Sequence, residues 1–138
     1  MADLSVTAAG VQATSNTVTK LVQFGATITA GQSLYLDTSD SKWKLADANN
    51  STTTAGADGV AVALTNGADG VYGIIARSGS YAAGATVSEG LVYVVSATAG
   101  GIAPAGDLTS GWNATIVGVG AASNQIELRL HASGQTVA

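Results

Sequence analysis

Apolar residues in this chain alternate with polar or small ones over short runs, and each run stops at a cluster of Gly, Asn, Asp or Ser roughly every ten residues. Helical spacing of apolar residues is nearly absent. A pattern of period two that is punctuated by turn formers predicts short antiparallel strands, hence an all-β fold. The clearest strand is Gln125 to Leu130, with Ile126, Leu128 and Leu130 on one face and Glu127 and Arg129 on the other. Ser33 to Asp37 and Lys42 to Leu45 flank Thr38-Ser39-Asp40-Ser41, whose side chains bond their own backbone, and so read as a hairpin. Further strands are expected at Thr17 to Phe24, Val60 to Leu64, Val71 to Ala76, Leu91 to Ser96 and Thr115 to Val119, with a long polar loop at Asn49 to Asp58.

One short text recurs. Gly25-Ala26-Thr27-Ile28-Thr29-Ala30-Gly31 returns 59 residues later as Gly84-Ala85-Thr86-Val87-Ser88-Glu89-Gly90, and Val60-Ala61-Val62-Ala63 returns 57 residues later as Val117-Gly118-Val119-Gly120. Two matches at nearly one offset predict a duplicated unit, at about 25 to 66 and again at about 84 to 124, with Gly31 and Gly90 in equivalent turns that enter equivalent strands. Two such halves close into a small antiparallel β-barrel or pack as a β-sandwich, either of which hides strand edges. The domain is expected to span residues 25–138, preceded over 1–24 by an extended N-terminal arm and a first strand.

Composition limits the core and the chemistry. Ala, Gly, Thr and Ser supply 73 of the 138 residues, which leaves 38 apolar side chains larger than Ala. So thin a core predicts association with further copies, a trimer being the expected form. The large anchors are Phe24, Tyr35, Trp43, Tyr93 and Trp112, expected in the core or at a subunit interface. There is no Cys and one His, so disulfides, thiolate metal sites and cysteine nucleophiles are excluded. Arg77-Ser78-Gly79-Ser80-Tyr81 lacks the G-x-S-x-G of a nucleophile elbow, and Gly118 to Ser123 lacks a phosphate-binding fingerprint. His131 has no sequence cue for a triad partner. Asp37, Asp40, Asp47 and Asp58 fit no calcium loop and read as turn residues. No cofactor, no metal and no catalytic residue is expected.

Net charge is −4, with five scattered cations, which argues against nucleic acid as a partner. The N-terminal stretch has no basic region followed by an apolar run, and no later segment has the length of an apolar helical span. The chain is therefore expected to be made in the cytoplasm, with no membrane partner.

Several motifs together resemble a known family. They are Thr29 to Asp37, Lys44-Leu45-Ala46-Asp47-Ala48, Asp58-Gly59-Val60-Ala61, Leu91 to Ile102, Ser110-Gly111 and Thr115 to Gly120. In order and spacing they are similar to the capsid decoration, or cement, proteins of tailed bacteriophages. The resemblance implies a structural virion protein, not an enzyme, that sits as a homotrimer on the outer capsid surface and binds the major capsid protein to link neighbouring capsomers. Within that setting, the weakly patterned arm with Leu4, Val6 and Val11 is expected to contact the capsid. Phage fibre modules share part of the segment. The alternative is a head- or tail-fibre module that binds surface glycans through Trp43, Tyr81 or Trp112.

Overall fold

The computed structural model describes residues 3–138. The chain is all-β, with ten strands: β1 (Val11–Ala13), β2 (Val18–Gln23), β3 (Ser33–Asp37), β4 (Lys42–Leu45), β5 (Val60–Ala63), β6 (Tyr72–Ala83), β7 (Val92–Val95), β8 (Ile102–Pro104), β9 (Asn113–Ala122) and β10 (Gln125–Thr136). They form one antiparallel sheet that curls into a half-barrel, eight of them in the order β4-β3-β5-β6-β10-β9-β7-β8, with β1 and β2 paired to β6 off this path. Outside the strands, Gly100 N–H donates to Ala46 O and Ala48 N–H to Ser96 O, so the two ends of the path are bridged by backbone bonds.

That order is a mirrored pair. Each repeat builds a hairpin (β3-β4, β7-β8), then a strand that alternates Val with Ala or Gly (β5, β9), then a long strand (β6, β10). The correspondence reaches single bonds. Gly31 N–H donates to Ala63 O and Gly90 N–H to Gly120 O, both at 2.8 Å; Ala63 N–H returns to Gln32 O and Gly120 N–H to Leu91 O, both at 2.9 Å. Register agrees too: Ser33 faces Val62 and Leu34 faces Ala61, as Val92 faces Val119 and Tyr93 faces Gly118. The duplication also extends beyond the matched text. Val22 faces Gly73 and Gln23 faces Tyr72, as Tyr81 faces Ile126 and Ala82 faces Gln125. The second half of β6 is therefore the counterpart of β2, and β6 ends one repeat while it opens the next.

Two apolar clusters follow from the pleat. Val22, Phe24, Ile28, Leu34, Trp43, Ala61, Ala63 and Ile75 fill the first lobe. Val60 and Val62, on the opposite face of β5, join Tyr81, Tyr93, Val95, Ile102, Val117, Ile126 and Leu128 in the other cluster. Because β5 is buried on both faces, its Ala residues leave room for Phe24 and Trp43 on one side while its Val residues pack on the other.

The segment before residue 25 pairs into this sheet. β1 and β2 pair in succession along one edge of β6, and Val22 and Phe24 are core residues. In the first lobe Gly25 N–H donates directly to Trp43 O at 2.7 Å. The counterparts in the second lobe, Gly84 and Ile102, are bridged instead by the N-terminal segment, with Thr7 N–H to Gly84 O and Leu4 N–H to Ile102 O, both at 2.8 Å. Ser96 Oγ donates to the Asp3 carboxylate at 2.8 Å and pins the start of this strap.

Candidate binding edge

Strand β2 owes its conformation to Val18, Thr19 and Val22, whose branched side chains favour extended backbone. Its partner on one side is β6, in the register Lys20 with Ile75 and Leu21 with Ile74. Pairing puts Val22 and Ile75 inside the first lobe and turns Leu21 outward with Ile74 and Tyr72. Along the other side, among the described residues, no backbone bond reaches β2 between Val18 and Val22. Among the described residues, the large hydrophobic side chains that remain exposed, Val18 (54%), Leu21 (62%), Val71 (46%) and Tyr72 (63%), lie on β2 and at the adjoining start of β6.

Between the bare edge of β2 and the β3-β4 hairpin runs a groove of about 680 Å³. Lys20 and Arg77 line it from one side, Leu36 and Asp40 from the other, with Trp43 among its lining residues. Arg77 holds its guanidinium 5.4 Å from the centroid of the Trp43 ring, a cation–π arrangement that keeps the charge at the groove. Neither Lys20 nor Arg77 forms an ion pair among the described residues, whereas Asp40 is already engaged. Lys44 Nζ lies 2.7 Å from Asp37 Oδ2 and 3.1 Å from Asp40 Oδ2. The Lys44 hydrogen bond, followed by those from the Ser39 hydroxyl and amide, holds the Asp37 carboxyl well below the usual range, and Lys44 likewise lowers Asp40. In return the bonds to Asp37 and Asp40 push the Lys44 ammonium up.

The residues singled out in the sequence lie as follows. Gly31 and Gly90 hold φ of +93° and +77° at the third position of matching turns, closed by Gln32 N–H to Thr29 O and Leu91 N–H to Ser88 O, both at 3.2 Å. Phe24, Trp43 and Tyr93 are buried, while Tyr35 and Trp112 are half-buried against the second cluster. The Tyr93 hydroxyl accepts from Ser88 N–H at 3.0 Å, tying the entry turn of the second repeat to its own hairpin. Of the aromatics named for a glycan surface, Trp43 is 4% and Tyr81 1% exposed, and Trp112 is half-buried. In the expected contact arm, Val11 is buried, and Leu4 and Val6 pack against the same cluster. These three side chains pack in the chain's own second lobe.

Among the described residues no three His, Cys, Asp or Glu side chains gather to hold a metal ion. Glu127 pairs with Arg129 at 3.1 Å, and His131 lies exposed on β10 opposite Ile116. Among the described residues no helix is long and apolar enough to cross a membrane. The sequence reading placed Leu21 and the pair Val71-Tyr72 in expected strands without assigning them a face; the pairing register turns Leu21 and Tyr72 outward. No protein-family model matches the chain, and no curated protein matches it in sequence.

Proposed function

We propose that this protein is a structural, binding component of a tailed-phage particle, a homotrimer that sits on the outer surface of the head and cements neighbouring capsomers by contact with the major capsid protein. The observation that carries this reading is the exposure of Val18 and Leu21 on β2, whose outer side carries no backbone pairing among the described residues, and of Val71 and Tyr72 at the adjoining start of β6, large apolar side chains of the kind that assembly buries. The order and spacing of the motifs that resemble decoration proteins supply the kind of assembly. The mechanism is mass action: a chain that binds only the assembled shell stabilises it, and many symmetry-related copies add their contributions.

The test is to add the purified protein to capsids that lack it. Expected are saturable binding at symmetry-related positions and a higher temperature of shell failure. Binding to a tail fibre, or to glycans with no binding to the shell, would overturn the proposal.

A further inference from the structure

The repeat offers an internal template for what the bare edge accepts. In the second lobe the strand equivalent to β2, the back half of β6, is flanked on its outer side by an added strand: Val11 faces Ala83, Gln12 faces Ala82 and Ala13 faces Tyr81. Beyond it, Leu4 and Thr7 reach the counterparts of Trp43 and Gly25. The second lobe is thus completed by an extended segment laid between its first strand and its hairpin. In the first lobe the same place is open from Val18 to Val22, and the groove lies there.

We infer that the first lobe is completed by an extended segment of another protein chain, one that carries carboxylates, adding as a strand to the edge of β2 between β2 and the β3-β4 hairpin. The backbone groups along β2 provide the pairing, as in other cases of strand addition. Charge sets the chemistry of the guest. Among the described residues Lys20 and Arg77 stand at the groove without ion pairs, and Asp40 on the opposite wall is held by Lys44. Asp58 is the remaining carboxylate that lines it. A second copy is the poorer occupant, since pairing two β2 edges brings two sets of Lys20 and Arg77 together, and edge lysines oppose self-pairing. This inference rests on reading the β2 edge as a binding surface and not on which particle supplies the guest.

The experiment uses isotope-labelled full-length protein and two capped nonapeptides that alternate valine with threonine, one with two glutamates and one with two lysines in their place. The glutamate peptide is expected to bind saturably, to shift the amides of residues 18–22 and the Trp43 indole, and to slow amide exchange along β2. Its affinity should fall at least tenfold in the variant Lys20→Glu with Arg77→Glu, which should in turn prefer the lysine peptide. Equal binding of both peptides to the unaltered protein, or binding that leaves residues 18–22 unmoved, overturns the inference. So does self-association that Leu21→Ser abolishes, because the edge then belongs to a second copy. If neither peptide binds while the protein still decorates capsids, the strand inference fails and the proposed function stands.

Discussion

Gly31 and Gly90 share a backbone conformation yet differ in surroundings, and the difference makes a prediction. A Cβ at Gly31 would lie 2.5 Å from Val6 Cγ1 and 3.0 Å from Val11 Cγ2, whereas at Gly90 nothing lies within 4 Å. Gly90→Ala should therefore cost only the left-handed backbone penalty, about 1 kcal/mol, and Gly31→Ala about 2–4 kcal/mol because the N-terminal strap must also shift. Chemical denaturation of both variants measures this. A second residue-scale prediction concerns pH. The Asp37 carboxyl is lowered in the folded chain, so its contribution is full above the ordinary carboxylate range and is lost as pH falls from that range toward the lower folded value. Asp37→Asn should lower Tm at pH 7, and the gap from the unaltered protein should begin to narrow below about pH 4 and go on narrowing as pH falls further. Tyr81 behaves oppositely: burial raises its phenol, so folding is favoured below about pH 10 and weakens as pH rises further. Tyr81→Phe should flatten that alkaline decline in a Tm-versus-pH series.

At the scale of elements, β6 shows what can and cannot be read from a string of residues. Its front half was legible, since Tyr72, Ile74 and Ile75 are β-branched or aromatic. The back half was not, because Arg77-Ser78-Gly79-Ser80 looks like a turn. The strand instead continues through Gly79 at φ +81°, where a Cβ would press into the carbonyl oxygen of Asn16, with Thr14 and Thr17 hydroxyls donating to Ser80 O. Gly79→Val is accordingly expected to cost about 3 kcal/mol or more and to perturb β2 and β10 together, which hydrogen exchange resolves strand by strand. Strands β1 and β8, three residues each, are too short to display a period. Strands β3, β4, β5 and β10 were readable because their alternation is long enough, and the repeat because its turn demands glycine in both copies. The bare edge of β2 was invisible for a different reason: exposure there depends on which strand lies alongside, and pairing over such separations leaves no local trace.

For the molecule as a whole, sharing β6 between repeats removes any boundary at which one half ends. Tyr81 and Val62 lie in one cluster although they come from different repeats. Unfolding should then be a single cooperative transition, with calorimetric and van't Hoff enthalpies agreeing once the oligomer is accounted for. Two resolved transitions would contradict the shared core. Light scattering at micromolar concentration is expected to give the mass of a trimer, and a monomer persisting even on its target would remove the oligomer from the proposal.

The strap formed by residues 4–13 has a consequence for how the protein comes into being. During synthesis this segment emerges long before Gly84 and Ile102, the positions to which Thr7 and Leu4 bond. Until the second repeat has been made, Leu4, Val6 and Val11 have no cavity of their own to enter. The open groove of the first lobe, complete much earlier, offers an extended chain a place to wait. Slowing the ribosome between the two repeats should therefore lengthen the life of a state in which the strap occupies the wrong lobe, and a bulky fusion ahead of Asp3 should hinder its transfer more than one placed after Ala138.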